Sequence, residues 1–209
     1  MNGKVDNKRL DAKLLVRRYF LDRYHSSSPP RVIDCCAGSG VIWQALRQDY
    51  RIRSYWGLDA KKSAGRIAAR SERILECPGW QADIVDVDTY GSPWKHWAQI
   101  LSHGPTPLTV FLTVGQVVMG ASTLSAEALV ALGVVFPTLA VSPGLMAKIH
   151  PLVIPFQLTY LGRSDKVVVE AKQIIIAGLG ATRVVYVGLR LEESHHGGRN
   201  RDRVDGPHV

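Results

Sequence analysis

An α/β fold, a doubly wound and mostly parallel sheet with helices on both faces, is predicted for this 209-residue chain by three observations. Short β-rich runs alternate with stretches of helical spacing from residue 31 to residue 115. The runs are apolar on both faces, as strands covered on both sides must be. The first run passes through a glycine turn straight into a helix, the usual entry to a ligand-binding sheet of this class.

The elements follow in order. Residues 7–24 read as a helix, with Leu10, Leu14 and Leu21 near helical spacing, and SSSPP at 26–30 stops it because two prolines and three serines cannot extend the ladder. RVIDCC (31–36) is a strand, AGSG breaks it, and VIWQALRQDY (41–50) is a helix through Ile42, Ala45 and Leu46. RSYWGLD (53–59) reads as strand, KKSAGRIAARSERIL (61–75) as helix, DIVDVD (83–88) as strand, PWKHWAQIL (93–101) as helix and LTVFLTVG (108–115) as strand. LSAEALVALG (124–133) reads as a helix, and prolines 151 and 155 interrupt whatever follows. KVVVEAKQIII (166–176) suits a strand or a buried helix and is assigned to helix; RVVYVGLRLE (183–192) is a strand. Three units result: a basic N-terminal helix and linker (1–30), one α/β domain (31–192), and a disordered polar tail (193–209).

Composition narrows the class. With 46% hydrophobic and 21% charged residues the chain is ordinary for one globular domain with a proper core. No apolar run approaches the ~20 residues of a membrane helix, and MNGKVDNKRLDAKLLVRRYF lacks the apolar core of a secretion signal, so a cytoplasmic protein without a membrane partner is expected. Cys35 and Cys36 are adjacent and Cys77 is alone, which makes neither a disulfide framework nor a metal motif; the seven histidines are scattered, and no metal is expected. The net charge is +8, and residues 1–31 carry eight Lys or Arg against three acids. Such a patch suits a polyanionic partner or a solvated amphipathic helix equally.

The chemistry is concentrated at two places. Asp34-Cys35-Cys36-Ala37-Gly38-Ser39-Gly40 forms the first strand-to-helix turn, where Gly38 and Gly40 let the backbone bend and approach a ligand. A dinucleotide fingerprint needs a third glycine where Trp43 stands, which disfavours NAD, and no GKS or GKT follows the glycines as a phosphate loop requires. Asp59 closes the second strand nineteen residues after Gly40, placed to accept hydrogen bonds from ribose hydroxyls or to cap the helix expected at Lys61.

VIDCCAGSG resembles motif I of the class I S-adenosylmethionine-dependent methyltransferases, in the D-x-x-x-G-S-G form of enzymes that methylate nucleic-acid bases. The resemblance implies a Rossmann-like methyltransferase fold with S-adenosylmethionine as cofactor. It implies that Asp34, Ala37, Gly38 and Gly40 line the cofactor's amino-acid moiety. The short span from Trp80 to Asp86 implies a fold compressed around strand three.

The second place is DIVDVDTYGSP (83–93). Alternation puts Asp86 and Asp88 on one face and Asp83 on the other, with Asp88 at the strand end where substrate can reach it. The stretch is similar to the fourth motif of tRNA guanine-N2 dimethyltransferases, with Thr89 in place of the usual proline. By that resemblance Asp88 holds the target amine, Tyr90 packs against the base, and Gly91, Ser92 and Pro93 shape the substrate turn. Asp83 is assigned to the adenine amine by the fold's habit near strand three. Asp86 pairs with a buried Arg, caps a helix or serves the site; Trp94 and Trp97 are expected in the core. The function expected is N-methylation of a nucleic-acid base, RNA first, with a small-molecule acceptor or a non-catalytic cofactor binder as alternatives.

Overall fold

A computed structural model of the chain describes residues 9–62, 64–89, 93–116, 165–177 and 183–194. The elements are α1 (Leu10–Tyr24), β1 (Arg31–Asp34), α2 (Val41–Asp49), β2 (Ser54–Asp59), β3 (Ile67–Ala68), α3 (Ser71–Glu76), β4 (Ile84–Val87), α4 (Trp94–His103), β5 (Leu108–Gln116), β6 (Lys166–Ala177) and β7 (Arg183–Glu193). They build one seven-stranded sheet in the order β3-β2-β1-β4-β5-β7-β6. Strands β3, β2, β1, β4 and β5 are parallel, and β7 runs antiparallel to both of its neighbours. This is the doubly wound, mostly parallel sheet that the alternation predicts.

Strand alternation divides the core into two layers. Val32, Ile84, Phe111 and Tyr186 face α1 and α2, meeting Ala12, Val16, Phe20, Ile42, Trp43 and Leu46. Their sequence neighbours Ile33, Val85, Val110 and Val187 face the opposite way, toward Leu75, Trp97, Ile100 and Leu101 of α3 and α4. Trp94 and Trp97 are buried, as expected, and Cys35, Cys36 and Cys77 are all free thiols. No helix among the described residues is long and apolar enough to cross a membrane.

Two expectations are corrected. Residues 61–75 do not form one helix: Gly65 takes a left-handed turn at φ +71°, Ile67 and Ala68 pair with the end of β2, and only the six-residue α3 remains. The third strand is therefore two residues long, and it lies within the span expected as helix, not between Trp80 and Asp86 where the compression was expected. Residues 166–176 are strand, not helix, because the β-branched runs Val167–Val169 and Ile174–Ile176 find a full partner in β7. The expected helix at 124–133, Tyr90, Gly91, Ser92 and residues 195–209 of the expected tail lie outside the described residues.

Candidate functional site

The carboxyl ends of β2, β1 and β4 lie side by side, and the turns that leave them are tied to one another. After β1 the backbone N–H of Cys35 donates to Asp86 O on one side (2.8 Å), and that of Ala37 donates to Leu58 O on the other (2.9 Å). Gly38 and Gly40 both have positive φ, +49° and +72°, which explains glycine at each. The Asp59 carboxylate accepts the Gly38 N–H at 3.0 Å and the Lys61 N–H at 2.8 Å, so it fastens the glycine turn to the loop after β2. No helix opens at Lys61, and the capping alternative for Asp59 reduces to this local turn.

Beneath the turn sits a buried ionic network. Asp86, 1% exposed, receives Arg17 in bidentate fashion, Nε to Oδ2 at 2.7 Å and Nη2 to Oδ1 at 2.6 Å, and also the indole N–H of Trp43 at 2.8 Å. Asp34, its register neighbour on β1, accepts the Tyr55 hydroxyl at 2.7 Å. Burial, reinforced by the Asp86 charge, pushes Asp34 up to about 8. Asp34 therefore lies under the glycine turn, 4% exposed, and not at its rim.

Asp88 emerges one residue beyond β4. Lys13 Nζ donates to its Oδ2 at 2.6 Å and Thr113 Oγ1 to its Oδ1 at 2.6 Å. The pairings of Lys13 with Asp88 and Arg17 with Asp86 have a common geometric origin. Four residues of helix rise about 6 Å and two residues of strand about 6.6 Å, so one turn of α1 matches the spacing of two acids on one strand face. The next hydroxyl, Thr89 Oγ1, is buried with no hydrogen-bond partner among the described residues. Pro93 is buried at the start of α4.

Of the residues singled out in the sequence, Ala37, Gly38, Gly40, Asp59, Asp34 and Asp88 are brought to this one edge. Asp83 is not. It precedes β4 at the opposite, amino-terminal edge, where Arg31 grips it through Nε (3.1 Å), Nη2 (3.0 Å) and its backbone N–H (2.7 Å). The assignment of Asp83 to the cofactor's adenine is corrected for that reason. Asp86 takes the buried-arginine role. Sequence reasoning missed Lys13, Arg17, Tyr55, Arg66 and Thr113; the only available signal was the Lys13/Arg17 spacing set against Asp86/Asp88.

The basic N-terminal segment also reads differently in three dimensions. Each described cation from Arg9 to Arg31 has a carboxylate within 4 Å: Arg9 with Asp11, Lys13 with Asp88, Arg17 with Asp86, Arg18 with Asp49, Arg23 with Glu170 and Arg31 with Asp83. Lys13 and Arg17 are buried, so α1 is neither a wholly solvated helix nor a free cationic face.

No protein-family model matches the sequence, and no curated protein matches it. Solved structures do resemble the fold. TYW2 of M. jannaschii in complex with AdoMet superposes with a TM-score of 0.55 at 11% identity, over 87% of this chain and 77% of its own. Trm1 of Pyrococcus horikoshii, in complex with S-adenosyl-L-methionine, superposes with a TM-score of 0.51 at 13% identity, over 88% of this chain. The chain spans about half of that protein, 54% of its length. The chain thus has the Rossmann-like fold expected from its sequence, shared with proteins whose structures hold S-adenosylmethionine.

Proposed function

We propose that this chain is an S-adenosylmethionine-dependent methyltransferase that N-methylates an exocyclic amine of an RNA base. The observation that carries the reading is the convergence of Gly38–Gly40, Asp59 and Asp88 on one carboxyl edge, the place where open α/β sheets bind ligands. The residues present fit the cofactor. Asp59 offers a carboxylate for ribose hydroxyls, the turn is bare of side chains at Gly38 and Gly40, and a guanidinium with an unused N–H lies over that turn. Ala37, Gly38, Gly40 and Asp59 are the residues that would hold it, with Asp34 buttressing the turn from below.

S-adenosylmethionine, when bound, supplies an electrophilic methyl group on an excellent leaving group. The protein's work is then alignment and exclusion of water, with no strong base required. Asp88 is suited to orient an amine: each oxygen accepts one internal hydrogen bond and keeps a lone pair for an incoming N–H. Lys13 and Thr113 hold the carboxylate in one rotamer, so that its direction is set before the substrate arrives. Tyr90 would stack on the ring bearing the amine, with Gly91, Ser92 and Pro93 shaping the turn beside it. After attack the amine's proton passes to Asp88 or to water.

The test is transfer of labelled methyl from S-adenosylmethionine into total small RNA by the intact protein and by Asp88→Ala. The reading expects label with the intact protein and a fall of ~10²-fold in the variant. Label unaffected by the substitution removes Asp88 from the site. A second reading, a small amine or phenol as acceptor, draws support from the neutralised cations of α1, which leave that helix few charges for phosphates. The two part on salt: RNA binding should weaken steeply between 50 and 200 mM on the order expected for phosphate contacts, and a small neutral acceptor should not.

A further inference from the structure

Arg66 is a cation in an unusual position. It follows Gly65 in the loop after β2 and folds back over the glycine turn, with Nη2 donating to Ser39 O at 3.0 Å and Nη1 to Gly65 O at 2.9 Å. A Cβ at Gly40 would overlap its Nη2 and lie 2.7 Å from its Cζ, and a Cβ at Gly57 would lie 2.8 Å from its Cδ. Both glycines are thus matched to the arm as well as to the backbone. The Tyr55 ring flanks it at 5.8 Å. Its Nε is buried with no hydrogen-bond partner, and no carboxylate among the described residues forms an ion pair with it.

At two other arginines the same guanidinium edge is fully used. Arg17 grips Asp86, and Arg31 grips Asp83, each through Nε and Nη2 to the two oxygens of one carboxylate. In Arg66 that edge has one N–H unpaired and the other atom held only by a neutral carbonyl. An edge of this shape fits a planar carboxylate, and charge-assisted bidentate pairs are about twice as strong as neutral hydrogen bonds.

From this geometry we infer that Arg66 is the receptor for the α-carboxylate of the cofactor's amino-acid moiety, drawing it over Ser39 and Gly40. The inference rests on the reading given under Proposed function and adds the group that selects an amino-acid-bearing nucleoside over a plain one. Arg66 is a binding residue and takes no part in methyl transfer.

The experiment is calorimetric titration of the full chain, and of Arg66→Ala and Arg66→Lys, with S-adenosylhomocysteine and with 5′-methylthioadenosine. The two ligands share the thioether nucleoside and differ in the amino-acid end. Intact protein should bind the first more tightly by about tenfold or more, the worth of a hydrogen bond to a charged group. Arg66→Ala should lose that preference while binding methylthioadenosine within about twofold of the intact protein, and Arg66→Lys should recover part of it. Unchanged preference in Arg66→Ala, or equal loss of both ligands, overturns the role of Arg66 and leaves the cofactor reading standing. Failure of the intact protein to bind either ligand overturns both.

Discussion

Replacing Arg17 by Met tests how far the buried network holds the fold together. Arg17 makes two bonds to Asp86 and one to the Lys13 carbonyl at 2.9 Å, and stacks 5.2 Å from the Phe111 ring centre. Methionine fills much of the same volume but leaves Asp86, 1% exposed, with the Trp43 indole as its one remaining side-chain donor among the described residues and Asp34 alongside. Stranding one partner of a buried pair costs about 3–5 kcal/mol, and a chain of this size loses about 2–4 °C of melting temperature per kcal/mol. Arg17→Met should therefore melt about 6–20 °C below the intact protein, measured by circular dichroism with urea unfolding as a check. The double variant Arg17→Met, Asp86→Asn removes the stranded charge and keeps an acceptor for Trp43; it should regain about 2 kcal/mol. A loss below about 1 kcal/mol in the single variant, or no recovery in the double, would mean that the Arg17–Asp86 pair does not hold the fold together.

Burial pushes Asp34 up to about 8, so the native state keeps a proton that the unfolded chain releases near 3.8. That contribution is complete at low pH and is lost as pH rises toward 8. Below 6.5 the His25 imidazole, lowered to about 4 by burial, acts in the opposite sense, since the unfolded chain binds the extra proton and stability rises with pH. Burial lowers His96 as well, and both histidines act alike in intact protein and in Asp34→Asn, so the difference between the two isolates Asp34: between pH 6.5 and 8 the intact protein should lose stability relative to the variant at up to ~1.4 kcal/mol per pH unit, and equal slopes contradict the assignment. Gly188→Ala places a Cβ against the Phe20 ring and 2.8 Å from Val16 Cγ1, so it should destabilise by about 1–3 kcal/mol through overpacking between β7 and α1; an unchanged urea midpoint argues against that packing. Thr113→Val removes the hydroxyl held by Asp88 and should lower methyl transfer with little change in cofactor affinity, and a large drop in affinity alone would place Thr113 elsewhere.

Much of this architecture is written locally. Strand, glycine turn and helix at 31–50 need no distant partner to be read, because Gly38 and Gly40 require positive φ and the helix spacing begins at once after them. Alternation was enough to put Asp86 and Asp88 on a common face. What local reading missed depends on pairing across the chain. Lys13 and Arg17 look like surface charges on an amphipathic helix until β4 supplies two acids at matching spacing. Arg66 has no local signature, since its position over Gly40 arises from the left-handed turn at Gly65 and from the pairing of β3 with β2. β6 reads as strand or helix alone, and the full-length ladder with β7 decides it. Asp83 misled because a five-residue step along an extended chain, about 17 Å, separates it from Asp88 and carries it to the far edge of the sheet.

If the carboxyl edge around Gly38–Gly40 and Asp59 is a cofactor site, calorimetric titration of the full chain with S-adenosylmethionine must show it. One-site binding that weakens by about tenfold or more in Asp59→Ala, with the variant still folded, is the predicted result. No binding by the intact protein, or equal binding by the variant, would contradict it.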